Sequence, residues 1–82
     1  MNNQSIALLD TVIITVDLLE QQVLAGDLGT IVEVYDSPEL AYEVEFVNPD
    51  GSTRALLTVH PELVRSLLAT DVLTTRQISL TA

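Results

Sequence analysis

Hydrophobic and polar residues alternate with a period of two in several short stretches of this chain. The clearest stretch is residues 41–47, AYEVEFV, where two glutamates alternate with Tyr42, Val44 and Phe46. Successive side chains of a β-strand point to opposite faces. The pattern therefore predicts a strand with its glutamates outside and its large apolar residues in a core.

Four further stretches predict strands by the same alternation or by their β-branched residues. They are residues 10–18, 30–35, 52–59 and 64–67. The turn NPDG predicts a tight hairpin, because Pro presets the second turn position and Gly accepts the left-handed one. If the hairpin loop takes the same number of residues from each strand, Arg54 pairs with Glu45. A glycine bulge shifts this pairing by one residue. Pro61 favours one short helical turn before the last strand.

The five strands predict an all-β fold. Five short strands are too few for two packed sheets, but they can curl into a small barrel that removes most exposed edges. Their order and loop lengths resemble an SH3-like barrel. We therefore expect a five-stranded SH3-like barrel over residues 10–68, between a flexible segment, 1–9, and a C-terminal tail, 69–82. The alternation within the tail leaves it open as an added strand, a partner-binding arm or a loose end.

Two glycines three residues apart, Gly26 and Gly29, bracket Asp27 just before the second strand. Glycine tolerates positive φ and admits another backbone closely, so the pair predicts a chain reversal in which Asp27 accepts backbone N–H bonds. The motif lacks the following helix and the lysine of a phosphate-binding loop. No Lys or Arg adjoins it, so it does not predict nucleic-acid binding either.

Composition and charge narrow the class of protein. The 82 residues suffice for one domain, and the absence of cysteine excludes disulfides and favours a reducing cytoplasm. Twelve acidic residues against three arginines give a net charge of −9, which repels nucleic acid and anionic membrane surfaces. No apolar run is long enough to span a membrane. The charge either keeps a small domain soluble or complements a basic partner protein.

Four segments carry a resemblance to a known family: DTVIITVDL, GDLGTIVEVY, AYEVEFVNPDGSTRALLTV and LVRSL. They resemble the uncharacterised bacterial domain-of-unknown-function family 4926, whose members are short and acidic. The resemblance covers residues 10–67 and implies a small barrel, but it implies no reaction, cofactor or catalytic residue. Because such short genes can sit beside toxin-like or nuclease-like genes, it also makes an antitoxin or immunity role conceivable.

Residues suited to catalysis are sparse. His60 is the only histidine, and it precedes a proline at a strand end, where we expect an exposed turn residue. Glu43 and Glu45 share a strand face, but a two-carboxylate catalyst requires one acid buried among apolar residues. We therefore expect no enzyme activity, no cofactor and no metal.

The outer face of the predicted sheet remains as the candidate site. Glu33, Glu43 and Glu45 have outward parity on adjacent strands, where like charges destabilise. The presence of these like charges therefore indicates one of three roles: solubility, protection against edge pairing, or binding of a cationic partner. Such a partner also needs apolar anchors. The candidate anchors are Tyr35, Leu40 and Leu56.

Two functional hypotheses follow from this face and from the tail. The first is a protein-binding module that docks on a basic protein. The alternative is an accessory subunit of a larger enzyme, whose tail wraps a neighbour. Self-association is compatible with both, either through the tail, 69–82, or through residues 10–18 if that strand lies at an edge.

Overall fold

The computed structural model describes residues 6–78, which form five strands and two single 3-10 turns. The strands are β1 (Thr11–Ile14), β2 (Leu28–Tyr35), β3 (Ala41–Val47), β4 (Thr53–Val59) and β5 (Val64–Ser66). The 3-10 turns are Leu19–Gln21 and Pro61–Leu63, the second at the position that Pro61 predicted. The prediction of an all-β fold is confirmed.

The five strands form one antiparallel sheet in the order β4-β3-β2-β1-β5. Within residues 6–78, β4 and β5 are its two edges, and no ladder joins them. Closure into an SH3-like barrel therefore stays a prediction. β1 pairs with β2 on one side and β5 on the other. Association through residues 10–18 required that strand to lie at an edge of the sheet. That condition is wrong, because β1 has a neighbour on each side.

One face of the sheet carries the core. The alternation predicted for β3 is confirmed, since Tyr42, Val44 and Phe46 are buried and the glutamates between them face outward. All five strands contribute to the same apolar cluster. Its buried members are Val12, Ile14, Val23, Ile31, Tyr42, Val44, Phe46, Val59 and Val64. The sheet therefore curves around a single interior.

β1 is shorter than the predicted strand over residues 10–18. Ile14 still pairs with the turn before β2, through its N–H to the Asp27 carbonyl, 3.0 Å, and its carbonyl to the Gly26 N–H. Thr15 instead donates both its N–H and its hydroxyl to the Leu63 carbonyl, at 2.8 and 2.9 Å. The ladder ends there, and the chain enters the first 3-10 turn. The prediction is wrong beyond Ile14.

Two irregularities set the register of β4 against β3. Gly51, with φ of 91°, closes the hairpin turn, and the Asn48 N–H donates to the Ser52 carbonyl. A second shift lies between the pairs Val47↔Thr53 and Phe46↔Ala55, which leaves Arg54 as the extra residue of a bulge. Next to the turn, Val47 pairs with Thr53, which is the register slipped by one residue, and beyond the second bulge Glu45 faces Leu56. The even register, with Arg54 opposite Glu45, is wrong.

A further bulge redirects the second half of β2. Ile31 pairs with Val44, but the next pair is Glu33 with Glu43, so Val32 is the extra residue. The bulge changes the parity of the strand. Glu33 consequently points outward, while Val34 packs against the core.

The structure describes part of each chain end, and the flexibility expected of the first segment stays a prediction. Residues 6–9, expected to be flexible, form a turn in which the Leu9 N–H donates to the Ile31 carbonyl at 2.7 Å and Ile6 packs on the core. Residues 1–5 of that predicted segment lie outside the described residues. Residues 69–78 of the tail join no ladder, so the added strand is absent there, and residues 79–82 lie outside the description.

The two glycines of the GDLG turn are needed for different reasons. Gly26 has φ of 97°, which side-chain-bearing residues rarely adopt. Gly29 is buried against the core side chains of β3. An added Cβ would lie 2.4 Å from Val44 Cγ1 and 2.9 Å from Phe46 Cε1. The first glycine allows the reversal, and the second lets β2 approach the buried side chains of β3.

We expect Gly29→Ala to lower the free energy of unfolding by about 1–3 kcal/mol, because the added methyl group overpacks the core. Urea denaturation measures this. Val44→Ala removes the nearest contact, so it should cost less in the Gly29→Ala background than in the wild type. Gly26→Ala, where no atom lies within 4 Å of the added Cβ, should show no coupling with Val44. Equal costs of Val44→Ala in both Gly29 backgrounds would contradict this account.

Candidate functional site

The outer face of β2 and β3 carries three glutamates, here called the acidic strip: Glu33, Glu43 and Glu45. Glu33 lies directly opposite Glu43 across the two strands. Glu45 is two residues further along β3 and faces Thr30 on one side and Leu56 on the other. Like charges directly opposite each other destabilise a sheet. The strip is thus an arrangement that folding alone does not favour.

Hydroxyl groups orient two of the three carboxylates. Tyr35 donates its hydroxyl to Glu43 Oε1 at 2.8 Å, and Thr53 donates its hydroxyl to Glu45 Oε2 at 2.6 Å. The hydrogen bond to Glu43, with smaller effects from desolvation and from the charges of Glu43 and Glu33, raises the pKa of Tyr35 above its ordinary value. The phenol therefore stays a donor and holds the Glu43 carboxylate in place.

No ion pair reaches the acidic strip within residues 6–78. The three arginines of the chain are all engaged elsewhere. Arg65 binds Asp71, and Arg54 and Arg76 both bind Asp27. No arginine therefore neutralises the strip, in which Glu33 is exposed and Glu43 and Glu45 are half-buried.

The structure brings five of the six predicted site residues onto one surface. Tyr35 and Leu56, which are exposed, flank the three glutamates on β2 and β4. Leu40 is also exposed, but it lies in the loop before β3 and outside the ladder. Beside Tyr35 a cleft of about 340 Å³ opens, lined among others by Pro38, Ala41 and His60. The strip thus borders an apolar hollow.

A second charged cluster was not predicted. It centres on Asp27, whose side chain is only 13% exposed. Asp27 Oδ2 accepts the Leu24 N–H at 3.0 Å, as expected for a turn. Arg76 Nε donates to Oδ1 at 3.0 Å and its Nη2 to Oδ2, while Arg54 Nη2 lies 3.6 Å from Oδ2. One carboxylate therefore joins a turn, a strand and the tail.

Arg54 has a second partner that explains its position. Its Nη1 donates to the Gln22 carbonyl, just after the first 3-10 turn. The bulge in β4 directs this side chain away from the acidic strip and towards the loop between β1 and β2. Arg54 therefore ties an edge strand to that loop.

Local sequence patterns could not reveal the Asp27 cluster. Arg76 is 49 residues from Asp27, and Arg54 reaches Gln22 over 32 residues. The residues next to Asp27 in the sequence include no cation, so the sequence predicts no ion pair there. The arginines that bind Asp27 are distant along the chain and close only in the fold. The only available signal was the small number of arginines in a very acidic chain.

Comparison with known proteins adds one finding to this geometry. The family described as "Domain of unknown function (DUF4926)" matches residues 8–66. The chain belongs to this family. The resemblance predicted from the sequence is confirmed, and the matched DUF4926 region contains the whole sheet and the acidic strip but ends before the tail. No curated protein and no solved structure matched the chain.

Other candidate chemistry in this DUF4926 domain is limited. His60 is exposed, and its Nδ1 lies 3.9 Å from Glu39 Oε2, also exposed. Residues 6–78 contain no group of three or more side chains suited to holding a metal ion. Over the same residues, no helix has the length and apolar character needed to cross a bilayer.

The Asp27 cluster should make stability depend on pH. Burial raises the pKa of Asp27, but hydrogen bonds from Arg76 and the Leu24 N–H and the charges of both arginines outweigh this, so the pKa falls below its ordinary 3.8. A lowered folded-state pKa means that the ionised form favours folding. Its contribution is present above pH 3.8 and is lost as pH falls through the folded-state value.

We therefore expect Asp27→Asn to lower the free energy of unfolding by about 2 kcal/mol at neutral pH. The difference from wild type should shrink as the pH falls from 3.8 through the lower folded-state pKa, because Asp27 becomes neutral first in the unfolded chain and then in the folded one. Chemical denaturation across this range measures it. Asp36→Asn removes a charge without an ion pair and should change stability by less than about 0.5 kcal/mol. A difference that stays constant down to acid pH would contradict this role.

Removing a charge from the acidic strip should stabilise the fold, whereas removing the charge of Asp27 should destabilise it. Glu33→Gln should raise the free energy of unfolding by about 0.3 kcal/mol, because it relieves repulsion with Glu43. The gain should fade in about 1 M salt, which screens exposed charges. Glu62→Gln removes one exposed charge in the second 3-10 turn, outside the strand ladders, and should show a smaller effect. Denaturation at low and high salt tests this, and a loss of stability in Glu33→Gln would argue against the repulsion.

Proposed function

We propose that this domain is a protein-binding module whose acidic strip docks a basic protein. The observation that carries the proposal is the pair Glu33 and Glu43, set opposite each other without a cation within residues 6–78. The chain has three arginines and places none of them at the strip. A surface that destabilises its own fold and stays unneutralised is suited to a partner that supplies the positive charge.

Charge and apolar contact have separate roles in this proposal. The strip, together with the net charge of −9, speeds the encounter with a basic surface more than it tightens the complex. Affinity requires anchors that lose contact with water. Tyr35 and Leu56 border the strip and are exposed, and the cleft beside Tyr35 can accept an apolar side chain of the partner.

An antitoxin-like or immunity-like role is the biological form that we propose for such docking, in which the domain covers a functional surface of a basic protein. The accessory-subunit alternative required a tail that wraps a neighbouring chain. Residues 71–76 lie against the sheet of their own chain through the Arg65–Asp71 and Asp27–Arg76 ion pairs. That observation favours the binding module.

Two variants of equal charge test the proposal. Glu33, Glu43 and Glu45 are changed to Gln in one, and Asp17, Glu20 and Glu62 are changed to their amides in the other, so that each net charge changes from −9 by three units to −6. The probe is a short oligo-arginine peptide, followed by nuclear magnetic resonance at two salt concentrations. The strip variant should bind at least about tenfold more weakly than wild type, and the control variant less than about threefold.

The location of the response is a second criterion. In the wild type, the resonances of Tyr35 and Leu56 should shift with the peptide, and they should respond less as salt rises. Equal losses of affinity in the two variants would mean that the peptide responds only to net charge. That result would remove the acidic strip as a specific docking surface.

A further inference from the structure

The tail crosses the outer face of the sheet at the end remote from Glu33. Its residues 72–78 are called the strap. Residues 72–75 line one cleft with Ile13, Leu28 and Arg65. Further along, Arg76 and Ile78 line a second cleft of about 470 Å³ with Asp27, Val47 and Arg54, among others. The strap therefore lies over the beginning of β2 and the end of β3.

Ile13 shows what the strap covers. It pairs with Leu28 and Arg65, whose side chains face outward, and its neighbours Val12 and Ile14 point into the core. Ile13 thus belongs to the outer face, yet it is only 7% exposed and is not part of the core cluster. The strap lines the cleft above it. An apolar position on the outside of the sheet is therefore shielded by the chain's own tail.

The strap is fastened by few contacts. Residues 71–78 join no ladder, and Val72 and Leu73 remain 88% and 56% exposed. At its beginning, Asp71 is held by Arg65 at 2.8 Å and by the Leu68 N–H at 2.6 Å. At its far end, the Arg76 guanidinium grips both oxygens of Asp27. A segment with so little buried apolar surface opens at low cost compared with the sheet.

We propose that the surface under the strap is a docking groove for an extended segment of a partner protein that carries an arginine. Asp27 recognises the guanidinium through two parallel hydrogen bonds, a geometry that lysine cannot reproduce. Ile13, Leu28 and Val47 accept the apolar side chains before it. In the free protein the strap fills the groove with its own Arg76, so a partner segment binds only when the strap is displaced.

This inference does not depend on the acidic strip, because it uses other residues and another form of recognition. The strip attracts any cation, whereas Asp27 is nearly enclosed and requires a bidentate partner. The strap also lowers the apparent affinity of the groove, since only the fraction of molecules with an open strap can bind. Loosening the strap should therefore strengthen binding.

The test uses the full chain with methyl-labelled Ile, Leu and Val, and a peptide of residues 70–78, TDVLTTRQI, as the probe. Arg76→Ala releases the strap and leaves the groove intact. Its Ile13 methyl resonance should move from the wild-type position. The peptide should then shift Ile13, Leu28 and Val47 saturably, with an affinity at least about tenfold higher than for wild type.

Two controls isolate the guanidinium. The same peptide with alanine or lysine in place of its arginine should bind Arg76→Ala at least about tenfold more weakly. The double variant Asp27→Asn with Arg76→Ala should lose peptide binding, because its groove lacks the acceptor. An unchanged Ile13 resonance in Arg76→Ala, equal peptide affinity for wild type and variant, or equal binding of the arginine and alanine peptides would each overturn the proposal.

Discussion

The carboxylate of Asp27 is the constraint on which the arrangement of this domain depends. It caps the turn that Gly26 makes, meets Arg54 from the edge strand β4, and meets Arg76 from the tail. The hydrogen-bonded sheet is open between β4 and β5 over the described residues, so no ladder ties β4 to the loop between β1 and β2. Arg54 makes that connection with a side chain, through Asp27 and the Gln22 carbonyl. A largely shielded carboxylate with two cations and a backbone donor is stable where a lone one would not be.

The elements of this fold could be predicted from the sequence because they depend on near neighbours. The period of two in β3 placed Glu43 and Glu45 outside, and Pro61 marked its 3-10 turn. The bulges at Val32 and Arg54 were not predictable in the same way, because a bulge depends on which residue of another strand lies opposite. The outward position of Glu33 was right, but the register behind it came from a bulge that the pattern does not show. The Asp27 cluster could not be predicted for the same reason, since its members come together only when the sheet has formed.

Charge is divided between two regions of the domain. At one end the few arginines neutralise carboxylates that are shielded from water, as at Asp27 and Asp71. At the other end Glu33 is exposed and Glu43 and Glu45 are half-buried, so water and salt can weaken their repulsion. This division follows from the cost of burying charge. An enclosed carboxylate loses far more without a cation than an exposed one does. Three arginines are therefore sufficient for a chain of net charge −9, provided that they go to the enclosed sites.

The same division separates two kinds of recognition in one domain. A strip of carboxylates acts at a distance and discriminates little among cations, so in the proposed docking it governs the rate of encounter. An enclosed carboxylate such as Asp27 acts only at contact, and it demands a planar group with two donors in the right geometry. Glu45, which pairs with Thr30 and Leu56, is the member of the strip nearest to the strap, because Leu28 and Val47 in the strap's cleft are each two residues away from this row. If the proposed docking holds, a partner drawn to the strip arrives beside the strap, and its further binding requires an arginine that takes the place of Arg76.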